Sequence, residues 1–203
     1  GCADQPEITQ GRESGTRGGA AGDRVVDLKS GTLLPGWFDM HVHLTSEYSR
    51  TSEIDGYKKN EGDVALDGVV YAERTLLAGF TTVRDLGDSY RASIALRNAI
   101  NAGKVPGPRI IAAGKSIAST GGHADPTNGW ARKFAADPGP DEGVINSVED
   151  ARKAVRQRYK DGSDTIKITA TGGVLSIAKN SQNPQMTEEE IRAVVATARD
   201  YSF

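Results

Sequence analysis

The sequence predicts an α/β protein in which helices cover a parallel sheet. Short segments rich in β-branched residues alternate four times with longer segments of helical period. The short segments are almost continuously apolar, which is typical of parallel strands that are buried on both faces. Two architectures share this order of elements: an open, doubly wound sheet and a closed β/α barrel.

The segment after the first barrel strand favours the barrel. A doubly wound sheet usually carries a glycine-rich phosphate turn there, whereas residues 45–56 read TSEYSRTSEIDG. A barrel places its functional side chains at the carboxyl ends of its strands, where His41, His43 and Lys167 fall. A complete barrel has eight units in about 250 residues, so this chain of 203 residues predicts half a barrel, with about four units. Half a barrel has unpaired strand edges, so we expect a homo-oligomer or a requirement for the missing C-terminal half.

Composition divides the chain into three parts. Residues 1–23 are rich in Gly, Ser, Arg and Asp, which predicts a flexible lead-in. Residues 24–34 begin with a short strand, RVVDL at 24–28, and residues 35–203 form the partial barrel. The first barrel strand is predicted within TLLPGWFDMHVHL, residues 32–44.

Helical period, capping residues and β-branched runs place the other elements. Ser147 and the pair Thr187 and Glu190 are typical N-terminal caps, and Gly79 is a typical C-terminal one. A long connection rich in Gly, Pro and Asp covers residues 115–146. The predicted helices are 64–78, 89–103, 147–162 and 187–201, and the later strands are 80–86, 108–114 and 164–170.

Charge and composition exclude several classes of protein. The net charge is −2 and no basic stripe with interleaved aromatic residues occurs, so we expect no nucleic-acid partner. The apolar runs are shorter than the roughly 20 residues that cross a bilayer, so we expect no membrane span. The single cysteine, Cys2, excludes an internal disulfide framework. Gly1 and Cys2 match the residues around a bacterial lipoprotein cleavage site, which would place the protein in the periplasm, but a fragment end and a cytoplasmic location are favoured.

His41 and His43 are spaced as metal ligands on one strand. Side chains at i and i+2 of a strand point to the same face, so both imidazoles should face the barrel interior. Two imidazoles on one rigid strand supply half of a zinc site. Asp39, two residues earlier, is a candidate to orient a histidine ring by hydrogen bonding. The alternative is a pair of partly exposed histidines at a strand end.

Lys167 interrupts the β-branched run TIKIT, residues 165–169. Desolvation of a buried lysine favours the neutral amine, and a neutral amine reacts with carbon dioxide to give a carbamate that can bridge two metal ions. The alternative is an inward-facing lysine that is paired with a carboxylate. His123 lies in the loop STGGHADPTNG, residues 119–129, which suits substrate binding. The alternative for that loop is a solvated surface connection.

Four ordered motifs resemble those of the amidohydrolase superfamily of metal-dependent hydrolases. LLPGWFDMHVHL at 33–44 is similar to its first-strand signature, and GFTTVRDLG at 79–87 is similar to its second strand. The loop at 119–129 and DTIKITATGGVLS at 164–176 resemble the imidazolonepropionase-like branch, which includes Xaa-Pro dipeptidases.

The resemblance implies a TIM-like barrel with a small β-sandwich, of which residues 24–34 would be a remnant. It implies a binuclear zinc centre, or one with another divalent metal, in which His41 and His43 hold one ion. Lys167, as a carbamate, would be a catalytic ligand that bridges to the second ion, and His123 would contact the substrate. A hydroxide between the metals would be the nucleophile.

The chain also departs from the superfamily pattern. The superfamily takes two further histidines and an aspartate from later strands, and no histidine follows His123. We therefore expect the N-terminal half of a hydrolase of non-aromatic C–N bonds that cannot catalyse alone. The predicted substrates are Xaa-Pro or Xaa-Arg dipeptides or another small molecule. The alternatives are a cyclic-amide hydrolase or deaminase of the same superfamily, or a non-catalytic half-barrel that acts as an interaction fragment.

Overall fold

The computed structural model of the chain describes Val26, residues 28–174 and residues 176–203. The lead-in at 1–23 and most of the strand predicted at 24–28 lie outside the described residues. Residues 28–36 hold a turn at 29–30 and no strand. The elements that follow are β1 (Trp37–Val42), α1 (Ser52–Lys58), α2 (Glu61–Leu77), β2 (Phe80–Asp85), α3 (Ala92–Asn101), β3 (Arg109–Ala112), β4 (Ala118–Ser119), a 3-10 turn (Pro140–Glu142), β5 (Val144–Ile145), α4 (Val148–Asp161) and α5 (Glu188–Asp200).

Two parallel sheets form from these strands. One has the order β1-β2-β3, with β2 in the centre, and the other is the pair β4-β5. Because the strands are parallel, their carboxyl ends meet at one edge of the sheet. The α/β class with parallel strands joined by helices is therefore confirmed.

The helix ends agree with the predicted caps. The Ser147 hydroxyl accepts a hydrogen bond from the Asp150 amide at the start of α4. Thr187 and Glu190 form a reciprocal capping box at the start of α5. Gly79 follows α2 with a φ of +99°, which is a conformation that glycine adopts without strain.

Two predicted helices have different starts from those expected. The helix predicted at 64–78 begins earlier, at Glu61, and a separate short helix, α1, precedes it in a segment for which no element was predicted. The helix predicted at 89–103 begins only at Ala92. Tyr90 and Arg91 have φ values of 63° and 60°, so the backbone before Ala92 is left-handed and cannot continue the helix.

The fourth strand, predicted at 164–170, is wrong as a regular strand. The segment makes one isolated parallel bridge, between Ile117 and Ile168. Ile117 donates its amide to the Lys167 carbonyl at 2.8 Å, and Asp164 donates its amide to the Ala112 carbonyl at 2.8 Å. The neighbouring backbone is interrupted between these two points by Gly114, which has a φ of +64°, so no continuous ladder can form.

Two hydrophobic clusters hold the elements together. In the first, α2 and α3 pack on the three-stranded sheet, and in the second, α4 and α5 pack around β4 and β5. Fully burying one aliphatic side chain contributes about 1.5–3 kcal/mol. The buried members are Leu44, Ala72, Val83, Ile94, Leu96, Ile110 and Ala112 in the first cluster, and Ile117, Ile145, Ala151, Ala154, Val155, Met186, Ala193 and Val194 in the second.

The outer strand β1 is much less covered than β2. It lies at an edge of its sheet, with Trp37 56% exposed and Phe38 69% exposed. The predicted oligomer, or requirement for further strands, stays a prediction that is consistent with this exposed apolar edge. Of the helices in the described ranges, none combines the length and the apolar character needed to cross a membrane.

Candidate metal centre

A β-bulge in β1 lies directly beside the predicted ligands. Asp39 pairs with Val83 and Val42 pairs with Asp85, so β1 advances by one residue more than β2 over this stretch. Two side chains hold the bulged backbone. The Asp39 carboxylate accepts the His41 amide at 3.0 Å, and Arg84 Nε donates to the Met40 carbonyl at 2.9 Å. Asp39 therefore contacts the backbone of His41, whereas the sequence predicted that it would orient a ring.

His41 and His43 lie together at the carboxyl end of β1. Their ring centroids are 5.5 Å apart and the ring planes meet at 63°. Both residues are exposed, and Leu44, the next residue in the chain, is buried in the first hydrophobic cluster. The buried neighbour anchors the strand end, so the two imidazoles project from a fixed backbone.

A backbone carbonyl fixes the ring of His43. Nδ1 of His43 lies 2.7 Å from the carbonyl oxygen of Gly87. Because a carbonyl oxygen can only accept a hydrogen bond, Nδ1 carries a proton in this contact, and the lone pair of the neutral ring lies on Nε2. Metal-bound histidines are oriented in the same way, with the nitrogen that does not bind the metal donating to a carbonyl or carboxylate.

Gly87 cannot carry a side chain in this position. Its φ is +155°, and a Cβ atom there would lie 2.6 Å from the Ser116 hydroxyl and 3.4 Å from Cε1 of His43. The absence of a side chain therefore allows the carbonyl of Gly87 to approach the imidazole.

Asp85 lies beside the histidine pair and was not among the residues that the sequence indicated. It ends β2 and is fully buried. Its carboxylate accepts the Leu44 amide at 2.8 Å and the Gly87 amide at 3.1 Å. Burial raises the pKa of Asp85 to about 6, against the opposing effect of these two hydrogen bonds. The signal in the sequence is an acidic residue at the end of the otherwise β-branched strand FTTVRD, residues 80–85.

The charge of Lys167 acts on His41. It is partly buried, and desolvation followed by the charge of Arg84 lowers its pKa. Burial, then the charges of Lys167, His43 and Arg84, lower the pKa of His41, and Asp39 opposes them. Both shifts favour the neutral forms, which are the forms that bind a metal ion or react with carbon dioxide. Within the described residues no carboxylate forms an ion pair with Lys167, in contrast to the alternative weighed from the sequence.

His123 packs against the loop that follows Lys167. Its amide donates to Oε1 of Gln185 at 2.9 Å. Its ring lies so close to the backbone of Gly173 that a Cβ atom there would be 2.0 Å from Nδ1. No hydrogen bond or ring contact among the described residues joins His123 to His41 or His43. The structure thus brings the two histidines together, and the charge of Lys167 acts on His41. His123 lies on a separate pair of packed loops.

The residues present match part of a zinc site. The described part of the chain contains no group of three or more His, Cys, Asp or Glu side chains arranged to hold a metal ion. Two neutral imidazoles supply two of the four positions of a tetrahedral zinc ion. The chemistry of this donor set therefore fits a divalent metal, with the other ligands still to be supplied.

The chain belongs to the amidohydrolase family, whose model matches residues 32–203. The resemblance noted in the sequence is therefore confirmed. The described sheet and helices are the N-terminal part of an α/β barrel of this family, since known members match with the same arrangement.

Similar proteins of known structure include a Xaa-Pro dipeptidase and a prolidase. A crystal structure of a Xaa-Pro dipeptidase with bound methionine in the active site is 54% identical, with a TM-score of 0.78 over 83% of this chain and 41% of that chain. A prolidase complexed with N-methylphosphonate-L-proline is 32% identical, with a TM-score of 0.70 over 89% of this chain and 46% of that chain. Ochratoxinase of Aspergillus niger is 29% identical over 181 residues, 82% of this chain and 36% of that protein. The chain spans less than half the length of each of these relatives.

Proposed function

We propose that this chain forms the His41, His43 and Lys167 part of the metal centre of an enzyme that hydrolyses dipeptides at an amide bond. The observation that carries the proposal is the hydrogen bond from Nδ1 of His43 to the Gly87 carbonyl, which leaves the lone pair on Nε2, in a ring whose centroid lies 5.5 Å from that of His41. Xaa-Pro dipeptides are the first candidate substrates because two of the similar structures are a Xaa-Pro dipeptidase and a prolidase. Xaa-Arg dipeptides are the second.

In this proposal His41 and His43 hold one divalent ion, with zinc as the first candidate. The neutral amine of Lys167 attacks the carbon of carbon dioxide, an N–C bond forms, and a proton is released. The resulting carbamate has two anionic oxygens that suit zinc, as carboxylate oxygens do. A bound metal would supply a water of lowered pKa and would polarise the scissile carbonyl.

His123 is the proposed substrate contact. Its loop and the loop after Lys167 are joined by the bond to Gln185 and by the close packing on Gly173. Asn128 also donates to the carbonyl of Ile177, at 3.5 Å, across the same pair of loops. A side chain held by two joined loops can orient a substrate carbonyl or carboxylate without collapsing into the metal site.

The number of ligands limits what the chain can do unaided. The whole sequence has three histidines, and one of them is assigned to the substrate. Two histidines and a carbamate are too few for two zinc coordination spheres of four ligands each. We therefore propose that the chain binds metal, and that turnover requires ligands from outside this sequence.

The proposal is tested by zinc binding and peptide hydrolysis in parallel. The purified protein is equilibrated with zinc and bicarbonate, and bound metal is measured after dialysis for wild type and for His41→Ala, His43→Ala and Lys167→Ala. His123→Ala is the matched control, because it removes an imidazole outside the metal site. We expect wild type and the control to bind zinc and the other three to bind at least about 10-fold more weakly. Equal binding by all five proteins would overturn the proposed centre.

Hydrolysis separates the enzyme from an interaction fragment. Release of proline from Xaa-Pro dipeptides should be absent with the 203-residue chain and present when the chain is supplied with the remaining strands of a homologous barrel. Rapid hydrolysis by the chain alone would contradict the ligand count. Failure with the added strands, together with zinc binding, would favour a non-catalytic module. Cyclic-amide hydrolysis and deamination stay alternatives from the sequence.

A further inference from the structure

Asp85 lies where three strand ends meet. Its side chain is completely buried at the end of the central strand β2. Its own carbonyl accepts the Ala113 amide, just after β3, at 2.9 Å. Its carboxylate reaches the opposite neighbour, where Leu44 follows β1, at 2.8 Å. One residue therefore links the strand that carries the histidines to the rest of the sheet.

The two carboxylate oxygens of Asp85 hold backbone amides on two sides of His43. Oδ2 accepts the amide of Leu44, the residue after His43, and Oδ1 accepts the amide of Gly87. The carbonyl of the same Gly87 lies 2.7 Å from Nδ1 of His43. A single side chain thus holds the peptide that follows His43 and the amide of the residue whose carbonyl contacts the His43 ring.

We propose that Asp85 is the positioning residue of the metal centre, which sets the orientation and tautomer of His43 by holding the amides of Leu44 and Gly87. The inference rests on the proposed function in so far as Nε2 of His43 is taken as the metal-binding atom. Asp85 itself does not contact the metal. It acts by holding the groups that present His43.

Two further hydrogen bonds hold the backbone that leads into Gly87. The Leu86 amide donates to the Val42 carbonyl at 3.0 Å, and the Ser116 hydroxyl donates to the Leu86 carbonyl at 2.9 Å. The turn is therefore held from the β1 side and from the segment after β3. The bond from Asp85 holds the Leu86–Gly87 peptide. The next peptide, whose Gly87 carbonyl faces His43, is held by the Asp88 amide, which donates to the Gly114 carbonyl at 3.3 Å.

Only a carboxylate can accept from both amides at once. Both partners of Asp85 are N–H donors, and an ionised carboxylate has acceptor oxygens on both branches. In Asp85→Asn one branch becomes an NH₂ group, which faces an N–H donor and cannot accept from it. The substitution keeps the size of the side chain and breaks one of the two links.

The decisive readout is the tautomer of His43 in the metal-free protein, measured by NMR of ¹⁵N-labelled histidine. We expect wild type to show Nδ1 protonated and Nε2 bare. Asp85→Asn should show a mixture of tautomers and bind zinc about 10–100-fold more weakly. Asp88→Asn is the matched control: it changes a nearby, partly buried aspartate whose carboxylate accepts the Ser93 amide instead, and it should keep both the tautomer and the zinc affinity.

The outcomes separate this inference from the proposed function. Wild-type zinc binding with an unchanged His43 tautomer and affinity in Asp85→Asn would overturn the inference and leave the metal centre standing. A tautomer change in a protein that binds no zinc would support the positioning role and overturn the metal centre. Should Asp85→Asn not fold, Gly87→Ala is the second variant. It keeps the Asp85 carboxylate, and its added Cβ pushes the backbone of residue 87 away from Ser116. Retention of the wild-type tautomer in Gly87→Ala would then overturn the inference.

Discussion

The ring of His43 is held by the backbone of Gly87, with 2.7 Å between Nδ1 and the carbonyl oxygen. His43 follows β1 and Gly87 follows the neighbouring strand β2, so the two residues are 44 positions apart in the chain. The contact converts a sequence pattern, two histidines separated by one residue, into an imidazole with a defined free nitrogen. Under the proposed function, metal affinity should therefore depend on groups that do not touch the metal.

Lys167 should make zinc binding dependent on carbon dioxide. Because the carbamate supplies oxygen ligands, removing bicarbonate should weaken zinc binding to wild type, and Lys167→Ala should bind weakly with or without bicarbonate. Equilibrium dialysis at matched pH measures both effects. Lys115→Ala is the control, since Lys115 pairs with Glu142 at 2.9 Å and takes no part in the site. The same bicarbonate effect in Lys167→Ala and wild type would contradict the assignment.

Gly173→Ala should disturb His123 and spare the metal site. The added Cβ would lie 2.0 Å from Nδ1 of His123, so the ring must move. We expect a shifted His123 ring signal by NMR and a zinc affinity within about 2-fold of wild type. Gly62→Ala is the control, because no atom lies within 4 Å of its added Cβ. An unmoved His123 ring in Gly173→Ala would show that the two loops are not packed as described.

Arg158→Ala should destabilise the second hydrophobic cluster. The side chain is 1% exposed and donates to the carbonyls of Lys115 and Asp141 at 3.0 and 2.6 Å. Its loss leaves the two carbonyls without this donor and removes one of the two ion-pair partners of Asp161, the other being Arg91, which costs about 1–3 kcal/mol. Urea unfolding measures the change in free energy. Arg192→Ala, which removes an exposed ion pair with Glu188, should cost at most about 1 kcal/mol, and equal losses in the two variants would refute this account of the cluster.

The contribution of Asp88 to the free energy of unfolding should decrease as the pH rises from acidic values. Burial raises the pKa of Asp88 above its ordinary value of 3.8, so the folded protein binds this proton more tightly than the unfolded chain. Stability from this group is therefore greatest below the ordinary pKa and is lost as the pH rises through the raised one. The unfolding free energy of wild type minus that of Asp88→Asn should decrease from about pH 4 upward and then level off. Urea unfolding at a series of pH values measures this difference, and a difference that is constant or increases with pH would count against it.

The sequence predicts the helices and the first three strands well because these depend on local patterns. Ser147 and Thr187 are caps in the structure as predicted, and the apolar spacing of α2, α4 and α5 determines which side of each helix packs. The proximity of His41 and His43 also follows from strand geometry. The segment around Lys167 is not a regular strand because Gly114 interrupts its neighbour, and this depends on a residue more than fifty positions away.

Asp85 could not be identified from local pattern. Its role depends on the register between β1 and β2 and on the bulge that places Leu44 beside it. The contact of Asp39 could not be identified from local pattern either, since its carboxylate accepts the His41 amide in the bulged strand. Polar contacts between strands are set by register, which composition and period leave open.

The central claim is that His43, together with His41, binds a divalent metal through the nitrogen that Gly87 leaves free. X-ray absorption at the zinc edge of the loaded protein tests it most directly. The account predicts two imidazole nitrogens at about 2.0–2.1 Å with oxygen ligands completing the shell, and one imidazole fewer in His43→Ala. A shell of oxygen ligands with no imidazole in the wild-type protein would contradict it.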